Sequence, residues 1–216
     1  MRCAGSLLIL TLTMLFSGCA STTSFSYADI DYSGKDGCQP FNIGHRLGGD
    51  LPGNTDNSLQ AMIAVAPLQD QPCFKYWEFD VGQTEDSLML WHDLRIGETL
   101  LMNLSSDRLP GYAPSLQQFE DSFHWLRVIR PVVIDLKLIT DQRRWPRLRQ
   151  LARNIRDQHD VPVWFITETA FVEVYTDLCD MLKGEFDIRL YGGKGDFCEV
   201  VKAYHGLKEK QSSKDT

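Results

Sequence analysis

Four short polar groups in this chain have the makings of one reactive site: His45-Arg46, Glu78 with Asp80, His92-Asp93, and Asp135 with Lys137. Each stands where a short apolar run gives way to polar residues, as strands do at their ends. Strand ends lying side by side aim residues that are far apart in sequence into one pocket. The mix suits phosphate chemistry. Two imidazoles can pass protons, clustered carboxylates can hold a divalent cation, and a guanidinium or ammonium can neutralise phosphoryl oxygens.

The elements that must position these groups follow from the apolar periodicity. Phe41-Asn42-Ile43-Gly44 reads as a first strand, followed by a glycine-rich loop at Gly48, Gly49 and Gly53. Asp56 or Asn57 then caps a helix with Leu59, Met62, Ile63 and Ala66 at helical spacing, ending at Pro67. Residues 74–81 form a second strand with Glu78 and Asp80 on one face and Trp77, Phe79 and Val81 on the other. A turn at Thr84-Glu85-Asp86 leads to a third strand, residues 87–91, ending in His92-Asp93. Residues 94–113 read as irregular. A helix capped by Ser115 and a strongly apolar strand, residues 131–136, deliver Asp135 and Lys137. Helix 141–159, strand 161–166, helix 168–182 and strand 186–191 continue the alternation. Such a rhythm requires a parallel sheet flanked by helices, and right-handed crossovers roll it into a TIM-barrel-like (β/α) barrel. Six strands are fewer than the eight of a closed barrel, so the barrel is expected to be incomplete at its C-terminal end.

The first 18 residues carry Arg2, an apolar run and small residues before Cys19, the plan of a secretory signal peptide. Residues 19–37, rich in Ser, Thr, Asp and Gly, read as a flexible tether, residues 38–205 as one folded domain, and residues 206–216 as a charged tail. The formal charge is −7, and loss of the leader with Arg2 deepens it by one. That balance argues against a nucleic-acid partner, and a phosphate-bearing substrate would have to be drawn by local charge such as a bound cation. Cys38, Cys73, Cys179 and Cys198 can form two disulfides in an oxidising compartment. Three pairings are open. Cys38 with Cys73 and Cys179 with Cys198 are favoured because each closes a modest loop around one supersecondary unit. No Cys/His cluster has zinc spacing.

In order, Gly44-His45-Arg46, the helix start Asp56-Asn57-Ser58, Trp77-Glu78-Phe79-Asp80-Val81, Leu90-Trp91-His92-Asp93, Pro114-Ser115-Leu116-Gln117 and Ile134-Asp135-Leu136-Lys137 resemble the motifs of the glycerophosphodiester phosphodiesterase family of TIM barrels. The resemblance covers about residues 43 to 137. It implies a phosphodiester hydrolase acting on glycerophosphodiesters or related phospholipid head-group esters. Glu78, Asp80 and Asp135 would bind calcium or magnesium, His45 and His92 would be acid and base, Arg46 would grip the phosphate, and Lys137 would add charge beside it. Family members are thought to let the substrate's own hydroxyl attack, through a cyclic phosphate that water opens. Leu15-Phe16-Ser17-Gly18-Cys19 also resembles a bacterial lipobox, implying a lipidated Cys19, and Ala20 points to the outer membrane facing the periplasm.

Three departures are legible. Asp56 and Asp135 stand where the family has glutamate, which shortens their reach, and Leu47 replaces a glycine, which is expected to hinder backbone approach to phosphate. With the short barrel, these favour as an alternative a catalytically impaired barrel that binds phosphodiesters or envelope components. A sphingomyelinase-D-like or phosphatidylinositol-phospholipase-like relative is a third reading. Lys137 could serve only to neutralise Asp135 or Glu78, and Asp56 only to cap its helix. The arginines at 143, 144, 147, 149, 153 and 156 read as a solvated helix face, with lipid head groups as the alternative. Trp77, Trp91 and Trp164 are expected in the core.

Overall fold

The alternating stretch from Trp77 becomes the central part of a sheet, because neither of its faces is left to water. Strand β1, Trp77–Gln83, is buried at every position in the computed structural model. The structure describes residues 37, 38, 40–191 and 195–212. The leader, Cys19 and most of the tether lie outside the described residues. Strand β2, Leu88–Leu90, folds back antiparallel on β1, whereas β5, Val132–Leu136, β6, Val163–Thr167, and β7, Ile188–Leu190, run parallel in the order β2-β1-β5-β6-β7. Between them, β3, Arg95–Ile96, and β4, Thr99–Leu100, make a small separate hairpin in the stretch expected to be irregular. Helices α1, Leu59–Val65, α2, Leu116–Phe123, α3, Trp145–His159, α4, Thr176–Leu182, and α5, Phe197–Ser212, complete the described residues.

Strand alternation sorts the core into two layers. Phe79, Val81, Val132, Ile134, Leu136, Val163 and Phe165 point outward into one cluster with the helices. Tyr76, Val133, Trp164 and Ile166 point inward and pack with Phe41. The register Glu78↔Val133, Asp80↔Asp135 and Asp135↔Ile166 sets the acids on that inward face, level with Val133 and Ile166 of the inner apolar cluster. Ile134, fully buried in the outer layer, would cost about 2–5 kcal/mol as alanine. The sheet is an open arc: among the described residues no strand closes β7 back toward β2.

The expected first strand is not one. Residues 41–44 are bends and turns, although they lie where a strand beside β1 would. Asn42 substitutes its side chain for the ladder: its Nδ2 donates to Tyr76 O, and its Oδ1 accepts from the backbone N–H of Lys75 and Tyr76. Gly44 then comes so close that a Cβ there would sit 2.2 Å from Tyr76 O, and its carbonyl accepts from Glu78 N–H at 2.9 Å. The disulfide Cys38–Cys73 ties this segment to the approach of β1, and Cys179–Cys198 ties α4 to α5, the favoured pairing in both cases.

Ser58, rather than Asp56 or Asn57, caps α1, accepting from Ala61 N–H. At α2 the expected Ser115 cap is present as a capping box with Gln118. Helix α5 runs through residues 206–212, where the charged tail was expected to begin. The arginine-rich face of α3 is not a free cationic surface. Arg147 pairs with Glu120, and Arg149, Arg153 and Arg156 pair with Glu185. Among the described residues no helix is long and apolar enough to cross a membrane.

Candidate metal and phosphate site

Glu78 and Asp80 leave β1 on the same face, and Asp135 leaves β5 at the register position of Asp80. All three are buried, and each offers an oxygen within 4.8 Å of the others, a set that can surround a cation. Lys137, just past β5 and also buried, places Nζ 2.8 Å from Asp135 Oδ2 and 2.9 Å from Asp80 Oδ1. Its backbone is held by Tyr175, whose hydroxyl donates to Lys137 O and accepts from Ile139 N–H at 3.0 Å.

Burial drives the electrostatics. It pushes Glu78 well above the usual carboxylate range, with Asp80 and Asp135 adding repulsion. It lifts Asp135 to about 6 against the downward pull of Lys137. Burial also opposes the charge on Lys137, but Asp135 and Asp80 outweigh it and hold the ammonium above its ordinary value. Among the described residues Asp135 Oδ1 has no hydrogen-bond partner despite its burial. An orphaned carboxylate oxygen among crowded acids is what an oxygen-ligated cation would satisfy, so the donor set fits a hard divalent ion.

Arg46 and Leu47 both take left-handed backbone, φ 48° and 58°. This turn aims Arg46 N–H at Glu78 Oε2, 2.8 Å away. Leu47 therefore occupies a conformation natural to glycine, at a cost of about 1–2 kcal/mol. Its side chain is fully buried, and that burial contributes about 1.5–3 kcal/mol, enough to keep it there. The Arg46 guanidinium donates through one terminal nitrogen to Asp56 Oδ2 at 2.7 Å, while its buried Nε lies 3.9 Å from Asp80 Oδ2 with no hydrogen-bond partner among the described residues. Asp56 is thus an anchor for Arg46 and not a cap.

The two histidines flank this centre. His45 Nε2 lies 3.6 Å from Glu78 Oε2, and its Nδ1 lies 2.7 Å from Asp50 Oδ2. It lines a cleft of about 220 Å³ with Glu78, Phe41, Tyr76 and Tyr191. His92 pairs through Nδ1 with Asp93 at 2.8 Å and lines a second cleft, of about 160 Å³, with Arg46, Asn57, Trp91 and Tyr112. Trp91, expected in the core, is a wall of this cleft stacked on Tyr112 with ring centroids 6.2 Å apart.

Every predicted site residue reaches this region: His45, Arg46, Glu78, Asp80, Asp135 and Lys137 form a connected network, and His92 joins through the cleft it shares with Arg46. Three contributors were not assigned from sequence. Asn57 brackets Asp80, donating through Nδ2 to Asp80 Oδ2 at 2.7 Å and accepting from Asp80 N–H at 3.0 Å. Asp50 binds His45, and Tyr175 holds the Lys137 backbone. Asn57 had a signal, since an asparagine just before a helix cap is a residue that tolerates the left-handed φ of 54° it adopts. Asp50 and Tyr175 had none.

The expected strand-end placement holds for Asp135 but not for Glu78 and Asp80, which lie within β1. An open βα sheet with acids on its inward face defines a TIM-barrel-like class of protein, incomplete as expected. No family model and no curated protein matches the chain. Among solved structures, its fold is similar to that of a putative glycerophosphodiester phosphodiesterase from Galdieria sulphuraria, with a TM-score of 0.52 and 18% sequence identity over 68% of this chain. The chain spans 62% of the length of that structure. At this identity the likeness is one of fold.

Proposed function

We propose that the chain is a metal-dependent phosphodiester hydrolase acting on glycerophosphodiesters or related phospholipid head-group esters, with calcium or magnesium held by Glu78, Asp80 and Asp135. The observation that carries this reading is the buried three-carboxylate cluster, one oxygen of which has no hydrogen-bond partner among the described residues, with the Arg46 guanidinium beside it. When bound, the cation supplies positive charge against the phosphoryl oxygens. Arg46 is the phosphate grip, through a guanidinium that lines the cleft it shares with His92. His45 and His92, one in each flanking cleft, take up and return protons at the attacking and leaving oxygens. Lys137 holds Asp80 and Asp135 in place and adds positive charge. The leader and Cys19 support a lipid-anchored protein of the bacterial envelope facing the periplasm, with the substrate a small molecule and the membrane reached through the lipid.

One observation favours a second reading, a barrel that binds phosphodiesters without turnover. Lys137 already bridges Asp80 and Asp135 and offsets part of their charge from within the chain. Hydrolysis of glycerophosphocholine or bis(p-nitrophenyl) phosphate with calcium or magnesium separates the two. The hydrolase reading expects turnover that EDTA and His45→Ala abolish. Phosphodiester binding without turnover under either metal leaves the binder.

A further inference from the structure

We propose that Asp50 is the positioning residue for His45, holding the imidazole as its Nδ1–H tautomer so that Nε2 is the nitrogen presented to substrate; the role rests on the hydrolase reading above. His45 has two carboxylates near it, and distance separates their roles. Asp50 Oδ2 is at hydrogen-bond distance from Nδ1, 2.7 Å, whereas Glu78 Oε2 stands 3.6 Å from Nε2, beyond a hydrogen bond. Nδ1 is therefore engaged and Nε2 is not. A carboxylate accepts and does not donate, so on neutral imidazole it selects the tautomer with hydrogen on the nitrogen it faces. His92 shows the same arrangement, with its Nδ1 on Asp93.

The loop carrying Asp50 is built for this placement. Gly49 N–H donates to Arg46 O at 3.1 Å and Leu51 N–H to Gly48 O at 3.2 Å, which folds the chain back over His45. A Cβ at Gly49 would sit 2.3 Å from Asp56 Oδ1, and Asp56 is itself bound by Arg46. The segment that aims Arg46 at Glu78 thus also returns Asp50 to His45.

The test is nitrogen NMR of the full folded chain, labelled at histidine and recorded at pH 8, where imidazole is ordinarily neutral, with His45→Gln used to assign the signal. The wild type is expected to show His45 protonated at Nδ1. In Asp50→Ala the acceptor at Nδ1 is gone, and the proton is expected to move to Nε2, the nitrogen facing Glu78. Asp50→Glu restores the wild-type tautomer. In parallel, kcat on glycerophosphocholine should fall about 10- to 100-fold in Asp50→Ala with KM changed less than about threefold, and recover in part in Asp50→Glu. A wild-type His45 protonated at Nε2, or an Asp50→Ala protein that keeps the Nδ1 proton, overturns the proposal while leaving the hydrolase reading intact. The expected tautomers in a chain that turns over no phosphodiester would uphold the positioning and sink the hydrolase reading instead.

Discussion

Lys137 Nζ, just beyond the end of β5, lies 2.9 Å from Asp80 Oδ1 on β1, and the same ammonium touches Asp135 Oδ2 at 2.8 Å. Because Asp80 and Asp135 are register partners on neighbouring strands, this one cation bridges the strand pair that carries the acids. Glu78, the third acid, lies outside this bridge and accepts the Arg46 N–H. The cluster is thus partly neutralised from within and still short of positive charge.

Removing that bridge should expose the shortage. Lys137→Met leaves two buried carboxylates uncompensated, and breaking a buried pair costs about 3–5 kcal/mol. The melting temperature in EDTA should fall, and the rise on adding calcium or magnesium should exceed that of the wild type. Thermal melts with and without metal check this. An unchanged metal-induced rise would mean that the acids do not share a cation.

Metal binding should weaken as pH falls through about 6. Burial lifts Asp135 to about 6 and also holds Glu78 well above the usual carboxylate range, so below pH 6 a cation must displace protons from its ligands. Affinity should then drop about tenfold per pH unit for each proton displaced. In the metal-free protein the sign is the reverse of the usual carboxylate. The folded pKa of Asp135 exceeds the unfolded value of about 4, so its contribution is most favourable at low pH and is lost as pH rises through that window. Calorimetric titration at pH 5, 6 and 7.5 measures the first effect. A dissociation constant flat across that range would contradict it.

Far from the site, Glu185 should govern acid stability with the ordinary sign. Its hydrogen bonds from Arg153, and then Arg149, hold it at about 2. A depressed folded pKa gives stability that is complete above about 4.5 and is lost as pH falls through 2. Glu185→Gln should lower the melting temperature by about 2–4 °C at pH 7, the effect of about 1 kcal/mol in a chain of this size. The gap to wild type should close as pH falls from 4.5 toward 2, which paired melts would reveal.

The parts of this fold that sequence made legible are those where one physical signal dominates. Strands β1, β5 and β6 are so apolar that acids within them had to face a functional interior, and the Ser115 capping box marks α2 unambiguously. Residues 41–44 look like a strand because Phe41 and Ile43 alternate with polar residues, yet the Asn42 side chain takes the hydrogen bonds a ladder would make. No periodicity reports that exchange. Helix α5 was hidden because its charged C-terminal half reads as tail, although Phe197 and Val201 are buried and Cys198 is tied to α4. Trp91 reads as core because it falls inside the expected strand 87–91, whereas β2 ends at Leu90 and Trp91 lines the cleft of His92. Asp50 and Tyr175 act through loop geometry and a long-range backbone contact, neither of which spacing encodes.

Asn57 offers the sharpest separation of backbone from side chain. Its φ of 54° penalises most residues, and its amide makes two buried hydrogen bonds to Asp80. Asn57→Ala should lose both, leaving the Asp80 N–H unpaired at about 1–3 kcal/mol and adding about 1–2 kcal/mol of left-handed strain. Asn57→Gly removes the strain but not the loss of hydrogen bonds. Chemical denaturation should therefore rank wild type above Asn57→Gly above Asn57→Ala. Metal affinity should fall by a similar factor, about 10- to 100-fold, in both variants, because the orientation of Asp80 depends on the amide and not on the backbone angle. If Asn57→Gly bound metal as tightly as wild type, Asn57 would be a turn residue only, and the aim of Asp80 would have to come from Lys137 alone.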